Sequence, residues 1–313
     1  MTKNSSNIIK SFLNDFPEIF HSPQKVNTYL QDYSKNIEEI IVKDFVNFGL
    51  KDDFAIYANG GFGRQELYPS SDIDLSIIQK KKNINNYNNL EKFIAKLWDL
   101  GLQVGHSVRT IKDIKKIAKE DPKEFTSYLT RRPLLTNKKT DESINLALSK
   151  IWSKKKFYKV KLSEQEERYK SFFSTEYNLE PNLKESPGTL RDFQTSLWIL
   201  QHCFDLENID GIKKSKEFGN EIEEVINSYN FVKAMRYITN IISNKNRLTF
   251  EIQVEIADKA KLKEGTTKRS VEKLMQKFYE NASNLSNFNN LVFEKFKEQN
   301  QFAITKNYGE FFV

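Results

Sequence analysis

Apolar residues recur at helical spacing in the first fifty positions, and short continuous apolar runs follow them. The segment from 23 to 48 has its large apolar residues three or four positions apart, which predicts an amphipathic helix that ends at Gly49. The run "FAIYA" at 54–58 is too short for a helix and leads into Gly60 and Gly61, so it predicts a buried strand followed by a turn. The apolar residues at helical spacing in the segment 23–48 are Val26, Tyr29, Leu30, Tyr33, Ile37, Ile40 and Ile41.

Segments with helical spacing and segments with the pattern of a strand continue to alternate to about residue 140. "DIDLSII" at 72–78 predicts a second strand, and residues 87–100 predict a helix that ends at Gly101. "LQVGHSVRT" at 102–110 alternates like a third strand, and Thr110 is a suitable N-cap for the next helix. Beyond residue 111 the pattern predicts only helices, at 111–119, 122–130, 142–174, 190–203, 220–247, 250–262 and 267–299. A Pro- and Gly-marked break at 179–188 interrupts them.

Length and composition narrow the class of protein. The 313 residues are enough for about two domains, each with its own core. The longest apolar runs are a few residues, too short to span a bilayer, and the N-terminus lacks the features of a secretory signal. A single cysteine, Cys203, excludes an internal disulfide framework and favours a reducing cytoplasm. Three histidines without zinc-ligand spacing argue against a histidine-built metal site.

The net charge of +7 raises the question of an anionic partner. The lysines are scattered and interleaved with acidic residues, and no known RNA-binding module is recognisable. We therefore expect no nucleic-acid partner and no membrane partner.

The segment "NGGFGRQELYPSSDIDLS" at 59–76 is the strongest candidate for chemistry. Asp72 and Asp74 are two positions apart on a predicted strand and therefore project to one face. Two adjacent carboxylates repel each other, and a hard cation such as Mg²⁺ relieves that repulsion. Gly60, Gly61 and Gly63 lack side chains and would let phosphates approach backbone N–H groups, and Arg64 offers a fork of donors for phosphate oxygens.

Each of these elements alone is common, but their combination is the arrangement of the nucleotidyltransferase fold. Two alternatives fail on the residues. A Walker A loop requires Gly-Lys-Ser/Thr, which does not follow these glycines. A dinucleotide fingerprint requires glycines that open a helix within a parallel βαβ unit, which "GGFGRQELYP" does not supply.

Several longer stretches, in the same order, resemble the bacterial PII-protein uridylyltransferases. "GGFGRQELYPSSDIDL" is similar to the signature of that family, and "LWDLGLQVGHSVRT" at 97–110 to its next segment. "PNLKESPGTLRDFQTSLWI" at 181–199 resembles the family's characteristic stretch in the helical region, and the resemblance covers most of residues 50–300.

The resemblance implies an α+β fold, with a polymerase-β-like nucleotidyltransferase domain containing a mixed sheet, followed by an all-helical domain. The implied organisation is an N-terminal helical segment at 1–50, the nucleotidyltransferase domain at 51–140, the helical domain at 141–300 and the start of a linker at 301–313. The implied reaction moves UMP from UTP to a tyrosine of a PII-type signalling protein, with Mg²⁺ or Mn²⁺ as cofactor and release of pyrophosphate.

The site residues implied by the resemblance fall into three groups. The metal-binding and catalytic residues are Asp72 and Asp74. The residues expected to bind the nucleoside triphosphate are Gly60, Gly61, Gly63, Arg64, Ser71, Lys184 and Arg191. Further candidates are Glu66, Gln103, His106, Glu185 and Asp192. Glu66 would orient Arg64, and His106 would contact a phosphate or the nucleophile unless it is simply hydrogen-bonded within its strand. The alternative for Glu185, Arg191 and Asp192 is structural, with Arg191 paired to Glu185 and Asp192 capping a helix.

Three departures from the family pattern qualify the expected activity. Family members continue into an HD-type hydrolase domain and two ACT domains, so we expect this chain to transfer UMP but neither to remove it nor to sense glutamine. Gln103 stands where a third carboxylate is expected, and loss of a general base typically costs 10²–10⁴-fold in rate. Thr189 replaces a glycine, a minor change. The alternatives are therefore a weak or inactive regulator that binds nucleotide or PII, and a nucleotidyltransferase with another substrate.

Overall fold

The computed structural model describes residues 3–81, 85–173, 179–262 and 266–309. For residues 3, 173 and 301–309 it describes the backbone only. The chain divides into two compact units. The first consists of Met1–Asp15 and Lys25–Trp152, and the second of Phe16–Gln24 and Ser153–Val313.

The first unit is built on a mixed sheet that has four strands within the described residues. The strands are β1 (Phe54–Ala58), β2 (Ile73–Gln79), β3 (Val104–Arg109) and β4 (Arg132–Leu135), in the order β3-β2-β1-β4. β2 pairs with β1 in antiparallel and with β3 in parallel orientation, and β4 pairs with the other edge of β1 in antiparallel orientation. Its helices are α1 (Lys3–His21, which continues into the second unit), α2 (Val26–Asn47), α3 (Gly60–Gly63), α4 (Tyr87–Asp99), α5 (Ile111–Glu120), α6 (Pro122–Leu129) and α7 (Lys138–Leu148).

One face of this sheet carries the core. Alternate strand residues, among them Ile56, Ile73, Leu75 and Val104, pack with apolar residues of α2 and α4. Burying these side chains is the main favourable contribution to folding of this unit, at about 25 cal/mol per Å² of apolar surface removed from water. The opposite face includes Asp74, the exposed second residue of β2.

The second unit is helical in its described part. It contains α8 (Lys154–Phe173), α9 (Leu190–Cys203), α10 (Ile209–Lys214), α11 (Ile222–Ser243), α12 (Phe250–Lys259) and α13 (Thr267–Gly309). The long helix α13 packs against α9, α11 and α12, and α8 packs against α9. An isolated antiparallel bridge joins Asn182 to Arg247. The predicted fold class, α+β with a mixed sheet followed by a helical region, is confirmed.

Most of the predicted elements are confirmed to within two or three residues, and Thr110 caps α5 through a capping box with Asp113. Three predictions are wrong. Residues beyond 111 are not all helical, because β4 follows α6. The helix predicted at 142–174 is two helices, since Lys150 takes a left-handed conformation and buried Trp152 donates from Nε1 to the carbonyl of Ala118. The last helix does not end at 299 but continues to Gly309, through a segment without proline.

None of the described helices combines the length and the apolar character that crossing a bilayer would require.

Candidate functional site

Asp72 and Asp74 lie at the beginning of β2 and project to the same face. Asp72 directly precedes the strand, Asp74 is its second residue, and both side chains are exposed. Ile73 and Leu75 alternate with them and are buried in the core. Because successive residues of an extended chain point to opposite sides, Ile73 and Leu75 are buried while the two carboxylates face solvent.

The carboxylate of Asp74 lies between two glycines. A Cβ added to Gly60 would be 2.7 Å from Asp74 Oδ2, and one added to Gly105, its register partner on β3, would be 3.4 Å from Asp74 Oδ1. Gly60 also has φ +54°, in the left-handed region where residues with a Cβ are strained. The backbone conformation favours glycine at position 60, and the short distance shows that the turn lies directly against the Asp74 carboxylate.

The glycines of the turn have different roles. α3 is a single helical turn that begins at Gly60, and its first positions have N–H groups with no acceptor inside the helix. Gly63 differs, because its N–H donates to the carbonyl of Asn59 at 2.8 Å. A Cβ on Gly63 would also lie 2.8 Å from the carbonyl oxygen of Ala58. Gly63 is therefore required for backbone packing, and Gly60 and Gly61 are the positions suited to a phosphate.

Arg64 and Ser71 are both engaged within the segment that links α3 to β2. Arg64 Nε donates to Glu66 Oε2 at 2.9 Å, and the two side chains are only 23% and 13% exposed. The Glu66 carboxylate therefore holds one edge of the Arg64 guanidinium. Ser71 Oγ accepts from the N–H of Tyr68 at 3.2 Å and closes the turn after Pro69.

The two candidates from the third strand segment differ in their position relative to the carboxylates. Gly105 pairs with Asp74, and Gln103 directly precedes β3, where its carbonyl accepts from the N–H of Ile73 at 2.8 Å; if the alternation of the strand extends to it, its side chain would share the face of Asp74. His106 pairs with Leu75 and projects to the other face, where its ring lies 5.9 Å from that of Trp98 on α4. The register thus directs His106 away from the carboxylates, whereas Gln103 occupies the position beside Asp72.

Two buried polar residues on the carboxylate face were not predicted from the sequence. Asn59 links β1 to the turn, its N–H donates to the carbonyl of Asp74 at 2.9 Å, and its amide donates to the hydroxyl of Ser76. They are 7% and 1% exposed, and Asn59 Oδ1 has no hydrogen-bond partner among the described residues. The sequence features that could have indicated them are an asparagine directly after the apolar run at 54–58 and a serine within the apolar run at 75–78.

The other predicted residues lie in the second unit, around the turn that precedes α9. Glu185 accepts two hydrogen bonds from Arg191, from Nη2 at 2.8 Å and from Nε at 3.2 Å. Burial alone would raise the pKa of Glu185, but its hydrogen bond and ion pair with Arg191, together with the charges of Lys184 and Arg168, outweigh burial and hold the pKa below its ordinary value. Lys184 is the more exposed neighbour, with 40% of its side chain accessible and Nζ 3.9 Å from Glu185.

Asp192 is fully buried and holds this turn together. Its carboxylate accepts from Arg168 Nη2, from the Tyr169 hydroxyl and from the N–H of Gly188, each at 2.6 Å. Gly188 has φ +73°, and a Cβ there would lie 2.4 Å from the carbonyl oxygen of Ala282. The Glu185–Arg191 pair has the contacts of the structural alternative, whereas the N-cap position of α9 is Thr189 and Asp192 is the third residue of that helix.

The donor set on β2 fits a hard divalent cation. Two exposed carboxylates supply oxygen ligands, and Mg²⁺ usually keeps several positions for water and substrate phosphates. Within the described residues, no group of three or more His, Cys, Asp or Glu side chains is placed to hold a metal ion.

Comparison with known proteins identifies relatives over nearly the whole chain. Residues 156–293 match the family model described as GlnD PII-uridylyltransferase. A bifunctional uridylyltransferase/uridylyl-removing enzyme of Pseudomonas syringae pv. syringae is 30% identical over 289 residues, which are 90% of this chain and 32% of the relative. The enzymes of the same description from Hydrogenovibrio crunogenus and Pseudomonas aeruginosa are 31% and 30% identical over 93% of this chain, which corresponds to 34% and 33% of their own lengths.

These matches confirm the resemblance that the motifs of the sequence predict. The chain spans about a third of the length of the curated relatives that it matches.

Proposed function

We propose that this chain, which carries a GlnD PII-uridylyltransferase family domain, is a nucleotidyltransferase of the uridylyltransferase type. It transfers the uridylyl group of UTP to a tyrosine of a PII-type protein and requires Mg²⁺ or Mn²⁺. The observation that supports the proposal is the pair of exposed carboxylates, Asp72 directly before β2 and Asp74 as its second residue, with the Asp74 carboxylate against Gly60.

The proposed reaction is an in-line substitution at the α-phosphorus of UTP. The tyrosine oxygen forms the new bond to phosphorus, the bond to the pyrophosphate oxygen breaks, and the phenolic proton is lost to solvent. The cation supplies charge neutralisation for the attacking and leaving oxygens. Asp72 and Asp74 would hold it, Gly60 and Gly61 would offer N–H groups to the phosphates, and Glu66 would keep the Arg64 fork oriented.

The absence of a carboxylate at position 103 is compatible with a phenol as acceptor. A tyrosine hydroxyl ionises near pH 10, far more easily than an alcohol, and therefore depends less on a general base. Within the second unit, Lys184 is the candidate for contact with the nucleotide, because Arg191 is paired with Glu185 and Asp192 is buried.

The test is incubation with labelled UTP, Mg²⁺ and a PII-type protein. We expect label on the PII-type protein, and loss of at least about 100-fold in rate in Asp72→Asn and Asp74→Asn, since each removes charge where the reacting phosphate is stabilised. Asp99→Asn is the matched control, because Asp99 is exposed at the end of α4, on the core side of the sheet. A wild-type protein that labels nothing with UTP, or variants as active as Asp99→Asn, would contradict the proposal.

A second candidate is a protein that binds nucleotide without turning it over. Gln103 favours it, because this residue occupies the position beside Asp72 without a basic oxygen. In that case calorimetry would detect UTP binding, no pyrophosphate would be released in the presence of the PII-type protein, and Gln103→Glu would restore turnover.

A further inference from the structure

The carbonyl end of the glycine turn is held by an arginine that the sequence did not point to. Arg132, the first residue of β4, donates from Nε to the carbonyl of Gly63 at 3.2 Å and from Nη2 to that of Phe62 at 3.4 Å. Its guanidinium also lies over the Phe62 ring, 5.7 Å from the centroid. The side chain therefore contacts both residues that end α3.

A second contact fixes the arginine itself. Arg132 Nη1 lies 2.8 Å from Glu38 Oε2 on α2, and the two side chains are 24% and 25% exposed. The guanidinium thus joins three elements of the first unit, namely β4, α2 and α3. An arginine fork held in this way loses little freedom on bonding, which a lysine ammonium on a flexible stem does not reproduce.

We propose that Arg132 is a positioning residue for the Gly60–Gly63 turn, with Glu38 as its anchor. The carbonyl end of a helical turn carries partial negative charge, so a cation there stabilises the turn. The turn has only four residues, so holding Phe62 and Gly63 also fixes Gly60, the residue that lies against the Asp74 carboxylate. The consequence for nucleotide binding rests on the proposed function, whereas the effect on the turn does not.

The first unit offers a matched control in Arg109. This arginine makes a bidentate pair with Glu124, at 2.6 and 3.0 Å, and lies 5.8 Å from the Tyr128 ring centroid. It therefore has the same kinds of partner as Arg132, a glutamate and an aromatic ring. It differs in one respect that matters, since these partners lie on α6 and not in the Gly60–Gly63 turn.

The experiment compares Arg132→Gln, Arg132→Lys and Arg109→Gln by hydrogen exchange on the substrate-free protein. We expect amides of the segment 63–66 to exchange at least about 10-fold faster in Arg132→Gln, which corresponds to about 1.4 kcal/mol of lost protection. Arg132→Lys should be intermediate and Arg109→Gln unchanged in this segment. Equal exchange in Arg132→Gln and Arg109→Gln would overturn the assignment.

Kinetics with UTP test the consequence for function. We expect Arg132→Gln to raise KM for UTP about 10-fold with little change in kcat, since the turn is proposed to bind ground state and transition state alike. A KM that equals that of Arg109→Gln, despite faster exchange, would overturn the role in nucleotide binding. A wild-type protein without UTP turnover would instead contradict the proposed function, and the exchange data would still decide whether Arg132 positions the turn.

Discussion

Replacing Gly60 by alanine separates the strain of the backbone from the chemistry of the site. Gly60 has φ +54°, and its new Cβ would be placed 2.7 Å from Asp74 Oδ2. Gly101→Ala is the matched control, because Gly101 has φ +75° but nothing within 4 Å of the added carbon. Both substitutions place an alanine in the left-handed region, and only one of them meets a carboxylate.

The two variants should be similar in stability and different in activity. A residue with a Cβ in the left-handed region costs about 1–2 kcal/mol, and we expect that loss in both. The contact with Asp74 adds little to it, because the carboxylate is the end of a side chain that can rotate away. That rotation moves the Asp74 oxygens from the position proposed to hold the cation. A misplacement of about 1 Å at a reacting centre can cost 10²-fold in rate.

Two measurements check this prediction. Urea unfolding should give losses in the free energy of unfolding that agree to within about 1 kcal/mol between Gly60→Ala and Gly101→Ala. Label transfer from UTP should fall about 100-fold in Gly60→Ala only, and Mn²⁺ affinity measured by calorimetry should fall with it. If Gly60→Ala labelled as fast as Gly101→Ala, the Asp74–Gly60 contact would have no part in the reaction.

Three further predictions concern the second unit. Asp192→Asn leaves the Arg168 guanidinium without its buried counter-charge, and urea unfolding should show a loss of about 3 kcal/mol or more. The pKa of Glu185 is lowered, because Arg191, Lys184 and Arg168 together outweigh the effect of burial. The stabilisation that the ionised Glu185 contributes is therefore present above its unfolded pKa of about 4.3 and is lost as pH falls through the lower folded pKa. In Glu185→Gln, the free energy of unfolding from urea titrations should depend less on pH between about pH 3 and pH 5 than in the wild type. Burial raises the pKa of Cys203 to about 12, so iodoacetamide at pH 8 should label it only in urea, as read by mass spectrometry.

The strand–turn–strand unit at 54–79 was predictable because its signals are local. A five-residue apolar run, paired glycines and alternating carboxylates each determine the conformation of their own segment, and the structure places β1, α3 and β2 there. The parallel pairing of β2 with β3 then decides which β3 residues share the face of Asp74, and the sequence alone could not give that register. The separation of Gln103 from His106 is a consequence of it.

Tertiary contacts determine the elements that were missed. β4 has only four residues and includes Pro133, and it is a strand because it pairs with the free edge of β1. The break between α7 and α8 is associated with a left-handed residue and a buried tryptophan rather than with Gly or Pro. Arg132 belongs to the same class of omission, since its partners are distant in sequence, the nearest being Gly63.

The roles of the two motifs differ in a way that the resemblance alone does not indicate. In the first unit the motif leaves its carboxylates exposed and holds the surrounding backbone close to them, as a site for ligands requires. In the second unit the charged residues of the motif are mainly engaged in ion pairs within that unit, because Asp192 binds Arg168 of α8 and Arg191 binds Glu185. A buried carboxylate that accepts three donors cannot approach a nucleotide without breaking those bonds. Chemistry should therefore fail in variants of the first motif that remain folded, whereas variants of Asp192 should lose the fold of their unit before any step of the reaction is affected.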